Sequence, residues 1–236
     1  MRTSIAQKLQ SLNYKFYKQH AADFSDSRNY VQPGIVRSLE MLSPCNSLLD
    51  IGCGNGRALI AVHGIENKCD YIGIDFSVEM LSNAPISSNT AFICIDITSN
   101  NWTSGFQQSF DAIICFSVLH HIPGHDKRLQ ILKEIYSILK PGGRCAISVW
   151  QFLEIPRLRL KIVGWEAVGL TEQSVEYNDY LIDWKRGDYG VRYVHHFSPN
   201  SLMTLCKLAG FQVDDSFYSD GQNGNLGLYL MLSRQL

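Results

Sequence analysis

Five strand-length runs of mostly apolar residues, Ser47–Ile51, Tyr71–Asp75, Ala91–Asp96, Phe110–Phe116 and Arg144–Trp150, succeed one another along the first two thirds of the chain. Among them Phe110–Phe116 is largely apolar where a half-exposed strand would alternate, as a strand buried on both faces should be. Around them, apolar residues recur at helical spacing. Ile5, Leu9, Leu12, Phe16 and Ala21 predict a helix over Thr3–Phe24 that leads into the loop Ser25–Arg28. Further helices are predicted over Ile35–Leu42, Arg57–His63 and Asp126–Leu139, the last stopped by Lys140-Pro-Gly-Gly143. Strands alternating with helices predict a doubly wound α/β fold with a mostly parallel sheet.

The alternation stops at Gln151–Phe197, a stretch too long for a simple connection and read as a lid or substrate-side insertion after the fifth strand. Ser198 and Pro199 then suit the N-cap and first position of a helix running to Ala209. Two further strands, Phe211–Tyr218 and Leu226–Ser233, are separated only by the glycine-rich Asp220–Asn225. No helix fits between them, so the seventh strand must run antiparallel. The chain reads as a single domain over 1–236, with a helical cap at 1–42 and the insertion at 151–197.

The first strand ends in Asp50-x-Gly52-x-Gly54-x-Gly56. This spacing is tighter than the dinucleotide fingerprint G-x-G-x-x-G and is preceded by an acid. An acid there would repel a pyrophosphate and accept from an ammonium, which suits an adenosine ligand with a cationic amino-acid tail. Asp75 ends the second strand about 20 residues on, where a ribose-hydroxyl acceptor is expected, and Asp96 ends the third. Ligands of such sheets sit at the carboxyl ends of the strands, where Gly52, Asp75, Asp96 and Ser117–His121 all fall.

At 236 residues, with 45% hydrophobic and 18% charged residues, the composition is that of an ordinary globular domain. No apolar run approaches the ~20 residues of a membrane span, and the polar start is unlike a signal peptide, so the expectation is a cytosolic protein with no membrane partner. The net charge of −1 offers no global attraction to nucleic acid, although residues 1–37 hold six basic residues against two acidic ones. Seven cysteines without a Cys-x-x-Cys pair read as small, buried, reduced thiols. Two histidine pairs, His120–His121 and His195–His196, lack a carboxylate or cysteine at ligand spacing, so no metal site is expected.

In this order, Asp50-x-Gly-x-Gly-x-Gly56, Asp75, Asp96, Leu119-His-His121 and Lys140-Pro-Gly-Gly143, with a closing antiparallel hairpin, resemble the class I S-adenosylmethionine-dependent methyltransferases, whose fold is a Rossmann-like seven-stranded sheet. The resemblance implies S-adenosylmethionine as cofactor, cradled by Gly52, Gly54 and Gly56, with Asp75 on the ribose and Asp96 and Ile97 at the adenine. Asp50, Tyr17, Phe76 and Phe116 complete the expected cofactor contacts. Tyr17-x-x-x-Ala21-x-x-Phe24-Ser-x-Ser-Arg28, Ser148-Val-Trp150, Trp184 and Arg192-Tyr-Val-His-His-Phe197 further resemble the tRNA methyltransferases that esterify 5-carboxymethyluridine at the wobble position. That resemblance implies tRNA as partner, Arg28 and one of His120 or His121 at the reacting group, and substrate contacts from Arg192, Tyr193 and His195. Some members of that family work with a small zinc-binding activator subunit. The chain departs from the family at Asn29-Tyr-Val-Gln-Pro33, where a basic-aromatic-Pro run is usual, and its insertion carries six basic and seven acidic residues.

A carboxylate acceptor is already ionised at neutral pH and needs no general base, whereas a hydroxyl would call on His120, His121, His195 or His196. A small-molecule methyltransferase acting on a carboxylate or quinone-like acceptor is the alternative. A non-catalytic scaffold is disfavoured by the intact set of acids and glycines.

Overall fold

Every position of Ser47–Ile51 (β1) is buried, because the strand is covered on both faces: Leu48 points into one core and Leu49 and Ile51 into the other. In the computed structural model, which describes residues 1–20, 30–65, 69–107, 109–185 and 187–236, β1 pairs in parallel with Asp70–Asp75 (β2) on one side and Phe110–Phe116 (β4) on the other. Thr90–Cys94 (β3) extends the sheet beyond β2, and Leu139–Trp150 (β5) lies beyond β4. Gln212–Ser219 and Gly227–Ser233, called β9 and β10 because the insertion contributes three strands of its own, close the sheet, β10 running antiparallel to both β5 and β9. The resulting order is β3-β2-β1-β4-β5-β10-β9, the expected seven-stranded, mostly parallel sheet. The direction of winding reverses between β1 and β4, so a crevice opens there at the carboxyl ends of the strands.

Pro33–Leu42 (α2) and Arg57–Ile65 (α3) cover one face, packing Ile35, Leu39, Leu59 and Val62 on Leu48, Ile114 and Ala146. His125–Ile138 (α4) and Pro199–Leu208 (α5) cover the other with Ile131, Leu132, Ile135 and Leu205. Ser198 caps α5 as expected, its Oγ accepting from the Ser201 N–H. The stretch Lys140–Gly143 does more than stop a helix: α4 ends at Ile138 and these residues already belong to β5, because Gly142 and Gly143 pair with the backbone of Arg234.

The insertion is a second sheet. Ile162–Val163 (β6), Asp179–Trp184 (β7) and Gly190–His195 (β8) form an antiparallel three-stranded layer. Thr3–Gln19 (α1) docks on it, burying Leu9 against Trp165, Leu181 and Tyr193. The buried Asn13 side chain stitches the two together, donating to the Tyr193 carbonyl at 3.0 Å and accepting from the Tyr193 N–H at 2.7 Å. The described helix ends at Gln19 with His20 as its C-cap; positions 21–24 of its expected length lie outside the described residues. No helix among the described residues is long and apolar enough to cross a membrane. The cysteines are all free thiols, but not all are buried: Cys45 is half-buried, and Cys94 is exposed because β3 is an edge strand.

Candidate active site

The chain leaves β1 through a turn that only glycine accommodates comfortably: Gly52, Gly54 and Gly56 have φ of +69°, +58° and +73°. A Cβ on Gly52 would also clash with Val118. The turn is tied to β2, with the N–H groups of Gly52 and Cys53 donating to the Ile74 carbonyl at 2.8 and 3.0 Å. Asp75 locks it from the side, accepting from the Gly54 N–H at 3.0 Å and the Ser77 N–H at 2.9 Å. One carboxylate at a strand end therefore sets the shape of the neighbouring loop.

Asp50 sits beneath this turn, 3% exposed, with no ion-pair partner among the described residues. Burial pushes its carboxyl up to about 7, although the Tyr71 hydroxyl donates to it. A buried acid in this state gains from any cation brought beside it, since the attraction opposes the cost of desolvating the charge. The amino group of an amino-acid ligand would meet that need, so the residues present fit S-adenosylmethionine on this count.

A cavity of about 620 Å³ runs from the turn along the carboxyl ends of β2, β4 and β5 and under α1. That is the size of a small-molecule site. It is lined by ten of the residues singled out from the sequence: Tyr17, Asp50, Gly52, Gly54, Asp75, Phe76, Asp96, Ile97, Phe116 and His121. Asp96 is oriented by Thr98, whose N–H and hydroxyl donate to it at 2.8 and 2.6 Å, while Gln10 of α1 donates to the Thr98 hydroxyl oxygen. Gly56 shapes the turn without reaching the cavity wall; a Cβ there would crowd Phe92 and Pro85. Arg28 lies outside the described residues.

The two adjacent histidines part company. His121 lines the cavity with its Nδ1 3.1 Å from the Tyr193 carbonyl and its Nε2 2.7 Å from the Tyr17 hydroxyl. A carbonyl only accepts, so Nδ1 carries the proton and Nε2 accepts from Tyr17. His120 is fully buried, its ring stacked on Trp150 at 5.3 Å. Trp150 and Tyr17 line the cavity, and the Arg192 guanidinium touches both.

Arg192, on β8, is 4% exposed and has no carboxylate within ion-pair distance among the described residues. Its guanidinium lies 4.5 Å from the Trp150 ring centre, 5.1 Å from Phe16 and 5.7 Å from Trp184. One Nη1–H donates to the Tyr17 hydroxyl at 3.4 Å, and Nε–H makes no hydrogen bond among the described residues. Tyr193 and His195, expected beside it, turn to the other side of the layer. Both donate to Asp179 Oδ1, at 2.6 and 2.7 Å, while Arg128 donates to the Tyr193 hydroxyl and to Glu176. Burial pushes the His195 imidazole below its usual range. Burial would also raise Glu176, but the His125 N–H and Arg128 hold it below the usual carboxylate range. This network joins β7 and β8 to α4 and does not line the cavity. Asn13, Gln10 and Arg128 escaped the sequence reading because a single polar residue on a helix gives no periodic signal.

A seven-stranded sheet closed by an antiparallel strand, with an acid-flanked glycine turn opening on a nucleoside-sized cavity, defines an S-adenosylmethionine-dependent methyltransferase fold. A crystal structure of such a methyltransferase from Methanosarcina mazei superposes with a TM-score of 0.66 at 21% identity, covering 88% of this chain and 99% of that one. The model of the methyltransferase domain family matches residues 43–177, more than half of the sequence, and the chain belongs to that family. A protein of Encephalitozoon cuniculi provisionally named a methyltransferase is 27% identical over 203 residues, spanning 86% of this chain and 88% of its own length. The tRNA (carboxymethyluridine(34)-5-O)-methyltransferase ALKBH8 of Macaca fascicularis is 34% identical over 137 residues, which are 58% of this chain but only 19% of that longer protein.

Proposed function

We propose that the chain transfers the methyl group of S-adenosylmethionine to a carboxylate, and that this carboxylate belongs to 5-carboxymethyluridine at the wobble position of tRNA, giving a methyl ester. Arg192 is the observation that carries the reading. A guanidinium buried with no carboxylate beside it among the described residues is costly to fold around, and cation–π contacts offset only part of that cost. An acceptor carboxylate would supply the missing charge and could be gripped in bidentate fashion. Bound S-adenosylmethionine supplies an electrophilic methyl on a sulfonium; the protein's task is to orient and desolvate the acceptor for in-line attack. His121 has both ring nitrogens engaged, which suits an acceptor that has no proton to lose. Trp184 beside Arg192 would let an unpaired base stack near the cavity, as single-stranded RNA recognition requires. The similarity to the carboxymethyluridine methyltransferase supports the tRNA half of the reading. The net charge of −1 favours the second reading, a small-molecule carboxylate in the same place.

The test is incubation with S-adenosylmethionine and tRNA carrying carboxymethyluridine, followed by nucleoside mass spectrometry. The expected product is a wobble methyl ester that mild alkali removes. Arg192→Met should lower kcat/KM by roughly 100-fold, with cofactor affinity and melting temperature close to wild type. Wild-type turnover by that variant would remove Arg192 from the acceptor site. Unmodified tRNA together with a labelled small carboxylic acid would move the acceptor to the second reading.

A further inference from the structure

The fold brings two of the scattered cysteines together at the end of the sheet remote from the cavity. Cys45 lies in the lead-in to β1 and Cys69 in the lead-in to β2, at the amino ends of neighbouring parallel strands. The register sets Ser47 opposite Asp70, and the Asp70 N–H donates to the Asn46 carbonyl at 2.8 Å. This pairing carries the two thiols to an Sγ–Sγ separation of 3.2 Å. A disulfide is about 2.05 Å long, so closure asks for an approach of about 1 Å. Among the described residues no other two thiols lie within hydrogen-bonding distance. Cys45 is half-buried, beside Leu42 and Leu48, and within reach of a small oxidant; Cys69 is buried behind it.

We infer that Cys45 and Cys69 are a reversible modification site, converted by a peroxide into an intramolecular disulfide. The Cys45 thiolate attacks hydrogen peroxide, the O–O bond breaks, and one water leaves after proton transfer, giving a sulfenic acid. The Cys69 sulfur then attacks the Cys45 sulfur, the S–O bond breaks, and a second water leaves as the S–S bond forms. Two thiols lose two electrons, one peroxide gains them, and a thiol reductant reverses the step by exchange. The bond closes the loop that contains β1, the glycine turn and α3. It restricts the unfolded chain without touching the cavity, so oxidation raises stability and leaves the cofactor site as it was.

The full chain is treated with hydrogen peroxide, denatured, and its remaining thiols alkylated before mass spectrometry. The expected species has lost two hydrogens, fragments to a Cys45–Cys69 link, and reverts with dithiothreitol. C45S and C69S should each lack it, while C94S, which removes the exposed thiol, should keep it. The oxidised wild type should melt roughly 5 °C above the reduced form, with unchanged affinity for S-adenosylhomocysteine, and C45S should show no such gain. The proposal is overturned if Cys45 and Cys69 are both alkylated at a dose that oxidises Cys94. It is equally overturned if the link joins another pair, or if the melting gain persists in C45S.

Discussion

Asp50 shows how one buried carboxylate can bias a cavity toward a cationic ligand. It is held near neutrality by burial while the Tyr71 hydroxyl keeps it oriented, so protons and ligand ammonium compete for it. The acid's pKa is raised in the unliganded protein and must fall when a cation binds, so binding releases a proton and strengthens as pH rises through about 7. Titration calorimetry with S-adenosylhomocysteine should therefore find affinity about tenfold weaker at pH 6 than at pH 7.5. Asp50→Asn should bind weakly with little pH dependence; a wild-type slope in that variant would assign the effect elsewhere. Arg192 is the complementary case, a buried cation whose partner the acceptor would bring. Both residue types were conspicuous in the chain, but that Asp50 is buried without an ion pair and Arg192 without a carboxylate among the described residues could only be read from their surroundings.

The elements that carry these residues are held in place by polar networks as well as by apolar packing. The β7–β8 hairpin hangs on Asp179, where the Tyr193 hydroxyl and His195 converge and from which Arg128 leads to α4. Asp179→Ala would leave two buried donors without an acceptor and should lower the free energy of unfolding by about 3 kcal/mol, measured by denaturant titration followed at Trp165 and Trp184 fluorescence. An effect under about 0.5 kcal/mol would mean that the network is incidental. The expected substrate roles of Arg192, Tyr193 and His195 came together from one stretch that carries the resemblance. Along a strand, however, alternate side chains face opposite ways: Arg192 faces Trp150 and the cavity wall, whereas Tyr193 faces α1 and the Asp179 network. The insertion's own sheet was equally hard to anticipate. β6 is only two residues long and pairs with a strand far along the chain, so no local pattern announces it.

Taken as one folded body, the molecule couples its cofactor site to its stability, because the glycine turn, β2 and α1 all border the same cavity. A ligand at about 100 times its Kd adds about 2.7 kcal/mol, so S-adenosylhomocysteine should raise the melting temperature by roughly 5–10 °C. A thermal-shift scan checks this, and Asp50→Asn should lose most of the gain. The order of strands and helices, the antiparallel closing hairpin and the acid-glycine turn were all legible along the chain, since burial on both faces and positive-φ turns leave local marks that neighbouring residues share. The pairing of Tyr17 with His121, the stitching of α1 to β8 through Asn13, the isolation of Arg192 among aromatic rings and the contact of Cys45 with Cys69 were not. Each joins residues distant in sequence through side-chain direction and strand register, and these exist only once the sheet has closed and the helices have docked upon it.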